Sequence, residues 1–343
     1  MTGSSPDAPR VLGITMGDPA GIGVEVVAKA WEQRQQELLP PFFLIADSDY
    51  PARHQSNIPI EVIAAPEETE GVFSRALPVM SCGATANVTV GQPDPVNANA
   101  VLQSIDLAVE FALSGRIAGL VTAPIHKDSL IAAGFEYPGH TEYLGHLAGD
   151  QSPPVMMLTC PGLRVVPVTI HLGLAKAIGE LTQALIFTHG QILERALRQD
   201  FGIDNPRIAV AALNPHAGES GEFGDEEERI IAPAIEELRA AGLKIDGPFP
   251  ADSLFHEAAR RNFDAVLCMY HDQALIPLKT IDFWNGVNVT LGLPFVRTSP
   301  DHGTAHDIAG TGSARADSMI AAIKTADQMA RRRQAAAATE TTS

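Results

Sequence analysis

Three histidines stand at the ends of three apolar runs. RVVPVTIH leads from Arg164 into His171, RIAVAALNPH from Arg207 into His216, and AVLCMYH from Ala265 into His271. Neutral imidazole is a common metal ligand, and three such ligands leave positions open for water or substrate, the pattern of a catalytic ion. The separations are long, so each histidine taken alone also fits a local hydrogen-bonding role; the matching contexts favour a shared divalent ion. Lys279, Asn288 and Arg297 follow His271 in a glycine-rich stretch expected to be largely irregular. Arginine offers a planar fork for phosphate or carboxylate and lysine a point charge, so these three read as an anion site rather than scattered surface charge. His126 beside Lys127, and His140 beside Thr141, are weaker anion candidates, while His54, His146, His189 and His256 read as surface or packing residues. In DHGTAHDIAGTG (Asp301 to Gly312) glycines permit close backbone approach, and His302 and Asp307 can address base or ribose edges.

The elements that must carry these residues alternate between strand and helix, which points to a mostly parallel α/β sheet. In such sheets ligands bind beyond the carboxyl ends of the strands, where the three histidines are expected. VLGITM and PFFLIA read as strands, and IAGLVTAPIHK as a strand arriving at His126 and Lys127. The turn GDPAGIG precedes a helix and is open to two readings, phosphate held on backbone N–H groups or a tight turn needing glycine. Asn97 to Gly115 is a strong amphipathic helix, Thr141 or His140 could cap the next one, and Gly224 to Glu228 (GDEEE) reads as an acidic first turn. The lead Met1 to Pro9 and the tail AAAATETTS have the composition of disorder.

The chain has 343 residues, 45% of them hydrophobic, enough for two domains or one large α/β unit. A formal charge of −17 argues against a nucleic-acid or anionic-membrane surface but leaves room for a locally basic site. Cys82, Cys160 and Cys268 are scattered and form no CxxC, as suits a reducing compartment. With no signal pattern and no long apolar run, the expected location is the cytoplasm.

Taken together, GDPAGIG, PGHTEYL, TIHL, LNPHAGESGEFGDEE, GPFPADSLF, MYHDQALIPLK and GVNVTLGLPFVRTSPDHGTAHDIAGTG resemble the 4-hydroxythreonine-4-phosphate dehydrogenase family of vitamin B6 biosynthesis. The likeness covers nearly all of residues 11–330, and HGTAHDIAG is similar to the cofactor loop of isocitrate and isopropylmalate dehydrogenases. It implies two α/β domains, each with a mostly parallel sheet, and an active site in the cleft between them. Residues 1–135 with 285–343 would form the cofactor side, and 136–284 the metal, substrate and dimerisation side. His171, His216 and His271 would hold one divalent ion (zinc, magnesium or cobalt), completed across a homodimer. His140, Thr141, Lys279, Asn288 and Arg297 would bind substrate, and His302, Gly303, Thr304, Asp307 and Ile308 would meet NAD or NADP. Asp252 or Lys279 would act as the base. The implied reaction is oxidation of 4-phosphooxy-L-threonine to 2-amino-3-oxo-4-phosphooxybutanoate, which decarboxylates to 3-amino-1-hydroxyacetone phosphate. Two alternatives share the motifs in whole or part: a dehydrogenase of threonate or erythronate 4-phosphate, and a three-histidine zinc hydrolase.

Overall fold

A computed structural model describes residues 11–47, 58–83, 85–86, 88–137, 139–149 and 152–340. The lead, His54, the polar loop after Asp47 and the last three residues of the tail lie outside them. The chain divides into two compact units, Met1–Pro154 with Leu293–Ser343, and Val155–Gly292. The sequence expectation set these joins at 135/136 and 284/285.

The first unit opens with β1 (Leu12–Thr15), α1 (Gly23–Glu32) and β2 (Phe42–Ala46). Both strands are buried along their whole length, β2 as a continuous apolar run, the pattern of strands covered on two faces. β3 (Ile60–Ile63), α2 (Thr69–Phe73), β4 (Leu77–Ser81), α3 (Ala98–Leu113), β5 (Gly119–Thr122), α4 (Lys127–Ala132) and α5 (His140–Leu147) follow. In α3, Val101, Ile105, Ala108 and Val109 bury one stripe, and Gly115 just beyond supplies the positive φ of 70° that ends it.

In the second unit β6 (Val155–Cys160) and β7 (Leu163–Thr169) lead to α6 (Leu174–Glu180), α7 (Gln183–Gln199), β8 (Arg207–Ala211) and α8 (Ala232–Ala240). β9 (Lys244–Phe249), α9 (Ala251–Leu254), α10 (Glu257–Arg260), β10 (Ala265–Tyr270), α11 (His271–Ile281) and β11 (Val287–Leu291) complete it. The chain then returns to the first unit for β12 (Arg297–Pro300) and α12 (Asp317–Glu340).

Strands of the first unit run in the order β3-β4-β2-β1-β5-β12 and are all parallel. Those of the second run β11-β6-β7-β10-β8-β9, antiparallel at β11-β6-β7 and parallel from β7 onward. The mixed, mostly parallel α/β class read from sequence is the one found. The second unit's core gathers Leu158, Val165, Ala211, Val266, Cys268, Ala274 and Leu278, each of the large ones contributing roughly 1.5–3 kcal/mol by burial. All three cysteines are free thiols. Among the described residues no helix is long and apolar enough to cross a membrane.

Five local expectations are corrected. The strand expected to reach Lys127 stops at Thr122, with Pro124 beyond it; His126 caps α4 instead, its Nδ1 2.7 Å from Ser129 Oγ. Gly139 is the N-cap of α5, so His140 and Thr141 are its first helical residues and cap nothing. The stretch after Gly286 is not irregular at its start. Val287, Val289 and Leu291 alternate with polar residues and form β11, and Arg297–Pro300 form β12. The tail is helical through Glu340, because α12 runs on through four alanines, the best helix formers. β9 was not foreseen, since Gly247 and Pro248 are poor strand residues; it lies at the edge of its sheet, where proline is tolerated.

Candidate active site

Because β7, β10 and β8 are adjacent and parallel, the chain leaves all three on the same side of the sheet. His171 lies just past β7, His271 directly follows β10, and His216 follows β8 after a short loop. The rings of His171 and His271 approach to 6.0 Å between centroids. The strand ends are tied together. Thr169 Oγ1 donates to Met269 O (2.8 Å), and Met269 N donates to Gln273 Oε1 (2.7 Å). Gln273 Nε2 donates in turn to Ala212 O (2.6 Å), whose own N–H reaches Phe249 O (2.8 Å). Buried Gln273 thus links the segments carrying His271 and His216. Sequence reading missed it, and a glutamine two residues past a histidine carries no signal.

The backbone marks the same place. His171 and His216 both adopt φ of 53°, and positive φ continues through Ala217, Gly218, Glu219 and Ser220. Left-handed non-glycine residues cost free energy and persist only where their surroundings hold them. Here the holding group is Glu227, 4% exposed. Its Oε1 accepts from Leu213 N (2.8 Å) and Asn214 N (2.7 Å), and its Oε2 from Asn214 Nδ2 (2.9 Å). Glu226 accepts a further bond from Asn214 Nδ2 at 2.7 Å. The GDEEE segment is therefore more than the acidic first turn expected, because two of its carboxylates turn inward to fix the loop that bears His216.

The donor chemistry fits a divalent ion. Asp272 Oδ1 lies 2.7 Å from His271 Nδ1. A carboxylate only accepts, so Nδ1 carries the proton and Nε2 presents its lone pair, the usual arrangement of a metal-binding histidine. Among the described residues, however, no set of three or more His, Cys, Asp or Glu converges closely enough in one chain to hold an ion. His171 and His271 are brought together, whereas His216 packs its ring against Phe223, 6.0 Å between centroids. Asp252 is exposed in α9, just past β9. Lys279 occupies the last turn of α11 with Nζ 5.1 Å from the Phe283 ring centroid. Eight residues of helix separate it from His271, about 12 Å along the axis. Asn288 lies on β11 opposite Leu158, and its Oδ1 is enclosed without a hydrogen-bond partner.

In the first unit Arg297, 3% exposed, begins β12. Its Nε and Nη2 both donate to Thr122 Oγ1, at 3.1 and 2.6 Å. Burial lowers its pKa to about 10, so it remains a cation at neutral pH. At the start of α5, burial foremost and the Arg297 charge second hold His140 well below the usual histidine range. Its imidazole is neutral, and Nε2 is enclosed with no hydrogen-bond partner. Thr141 is the next residue, half-buried. A buried guanidinium beside an unsatisfied ring nitrogen suits an anion with spare acceptor capacity.

The loop after β12 carries His302, Thr304 and Ile308 half-buried, with Gly303 and Asp307 exposed. Nothing lies within 4 Å of the Cβ position of Gly303, so a planar ligand can approach the backbone there. The GDPAGIG turn is not a phosphate cradle. Its N–H groups at Asp18, Ala20, Gly21 and Ile22 donate to Pro124 O, Asp18 Oδ1, Asp18 O and Thr304 O. The tight-turn reading holds, with Gly17 at φ 68°.

Parallel α/β units with imidazoles and a buried guanidinium near their strand ends fit the class of α/β metabolic enzymes. The model of the family described as pyridoxal phosphate biosynthetic protein PdxA matches residues 39–326, and the chain belongs to that family. A 4-hydroxythreonine-4-phosphate dehydrogenase of Caulobacter vibrioides is 53% identical over 329 residues, covering 94% of this chain and 98% of the relative. One from Bradyrhizobium diazoefficiens is 49% identical over 338 residues, with 94% and 98% covered. The crystal structure of the dehydrogenase of that name from Klebsiella pneumoniae superposes with a TM-score of 0.83 at 39% identity, covering 93% of this chain and 99% of that one.

Proposed function

We propose that the chain oxidises 4-phosphooxy-L-threonine to 2-amino-3-oxo-4-phosphooxybutanoate, using NAD or NADP and one divalent ion, in pyridoxal phosphate biosynthesis. The carrying observation is buried, cationic Arg297 beside neutral His140, whose enclosed Nε2 lacks a partner. These groups, with Thr141, receive the substrate's phosphate or carboxylate. Lys279 and Asn288, in the second unit, are read as further substrate-binding residues, offering a charge and an unsatisfied polar group.

A divalent ion held by these histidines would supply a lowered pKa at the substrate hydroxyl, and a bound nicotinamide would supply the hydride acceptor. Asp272 keeps the His271 proton on Nδ1, and Gln273 and Glu227 set the backbone leading to His271 and His216. The hydroxyl proton passes to Asp252 or Lys279, and the resulting β-keto acid loses carbon dioxide readily. His171, His216 and His271 would hold the ion in a homodimer, with ligands contributed from both copies; among the described residues no three such ligands converge within one chain. Imidazole donors suit zinc better than magnesium. The first unit, with the loop from His302 to Ile308, forms the cofactor side.

The test is formation of reduced cofactor, read by absorbance, with 4-phosphooxy-L-threonine, threonate 4-phosphate and erythronate 4-phosphate. The reading expects the amino acid to be turned over fastest, and chelation to abolish turnover while cofactor binding survives. Preference for an acid lacking the amino group, or full activity after metal removal, overturns it.

A further inference from the structure

The GDPAGIG turn and the helix it opens serve neither the ion nor the anion groups, yet they are the surface on which the 302–314 loop is seated. The loop's first limb is held at Thr304 O by Ile22 N (3.0 Å), and His306 Nε2 lies 3.2 Å from Asp18 Oδ2. A Cβ at Gly21 would come within 2.7 Å of Thr304 O, and one at Gly91 within 2.9 Å of His306 O, so bare backbone is what lets the loop settle there. The second limb is held by a charge pair in α1. Glu25, 3% exposed, accepts from Gly310 N (3.2 Å) and pairs with Lys29 (3.0 Å). Lys29 Nζ also donates to Gly312 O (2.7 Å) and Ala314 O (2.6 Å). Between the two limbs Ala305 is forced to φ 46° and Asp307 faces outward.

We infer that Glu25 and Lys29 are positioning residues for the nicotinamide cofactor. By clamping the far limb of this loop they keep Ala305 to Ile308 in the strained shape that presents Gly303 and Asp307. The inference rests on the reading that this loop meets the cofactor. The physical logic is a population argument. A loop released at one limb samples many shapes, and apparent cofactor affinity falls by the fraction of time the competent shape is lost. Charge-assisted bonds to two carbonyls and one amide are strong enough to set that fraction.

The experiment measures dissociation constants for NAD and NADP by calorimetry on the intact enzyme, with steady-state kinetics and amide exchange over residues 303–314. The variants are Lys29→Met, Lys29→Arg, the neutral double variant Glu25→Leu/Lys29→Met, and Asp307→Ala as a probe of the loop's own contact. Expected for Lys29→Met and the double variant is a cofactor dissociation constant and KM raised about tenfold. Substrate KM and kcat at saturating cofactor stay unchanged, exchange speeds up over the loop, and Lys29→Arg restores much of the loss. The double variant leaves no buried unpaired carboxylate, so it keeps the test available where the single variant folds poorly. A cofactor constant weakened by Asp307→Ala but not by either Lys29→Met or the double variant overturns the inference alone. Constants unmoved by all variants overturn the cofactor reading of the loop, and the inference with it. Equal loss in kcat, both KM values and folding stability assigns the pair a merely structural role and also overturns it.

Discussion

Glu227→Gln is the sharpest probe of how the His216 loop is held. Four non-glycine residues, His216, Ala217, Glu219 and Ser220, take left-handed backbone angles. At about 1–2 kcal/mol each this is roughly 4–8 kcal/mol of strain. The opposing contribution comes from Glu227, which accepts three hydrogen bonds inside the protein. Charge-assisted bonds are worth about 1.5–3 kcal/mol each, or roughly 4–9 kcal/mol before non-additivity, the same scale. Glutamine keeps the shape but removes the charge. It also sets an NH2 against Asn214 Nδ2, which lies 2.9 Å from Glu227 Oε2. Flipping the Asn214 amide relieves that conflict only by turning its oxygen towards Glu226 Oε2, now an acceptor at 2.7 Å. We therefore expect Glu227→Gln to lower stability by about 2–4 kcal/mol in urea denaturation. Zinc affinity, measured by calorimetry on metal-stripped protein, should fall roughly 10- to 100-fold, as for other residues that orient metal ligands. His216→Ala is the control for loss of the proposed ligand itself. Lowered stability with unchanged zinc affinity, in a protein where His216→Ala does weaken zinc, would refute the argument that Glu227 sets the ligand's position.

Gln273→Leu should cost about 2–4 kcal/mol in urea, because it strands the buried Met269 N–H and Ala212 carbonyl; a cost under 1 kcal/mol would show that the strand ends do not need this tie. Asp272→Ala should leave stability nearly unchanged, since the side chain is largely exposed, while zinc affinity falls about tenfold through loss of the tautomer lock on His271; equal affinity in calorimetry would remove Asp272 from the site. Burial holds both His140 and His189 below the ordinary histidine value of 6.5. Below that pH the unfolded chain takes protons the folded chain refuses, so stability should fall as pH drops, by up to about 1.4 kcal/mol per pH unit for each histidine. His189→Gln should reduce that slope in pH-dependent denaturation, and an unchanged slope would mean His189 does not contribute.

The class of fold was legible because it rests on local pattern. Continuous apolar runs such as Ala265 to Tyr270 and the stripe of α3 specify a buried strand and an amphipathic helix within a few residues. That three such runs lead to His171, His216 and His271 was also readable, and residue type alone made Arg297 and His140 candidates for an anion site. The placement of those groups was not. His171 and His271 meet because β7 pairs with β10, a contact between segments about a hundred residues apart that no local pattern encodes. The inward turn of Glu227, the tie made by Gln273 and the use of GDPAGIG as a seat for a loop nearly three hundred residues later are likewise long-range. In each case the residue type permitted several partners, and burial, which leaves an unpaired polar group costly, selected one. The sequence by itself determined the menu of elements and reactive groups. Tertiary structure decided which groups meet, because strand pairing and desolvation act between residues whose separation along the chain carries no information about their distance.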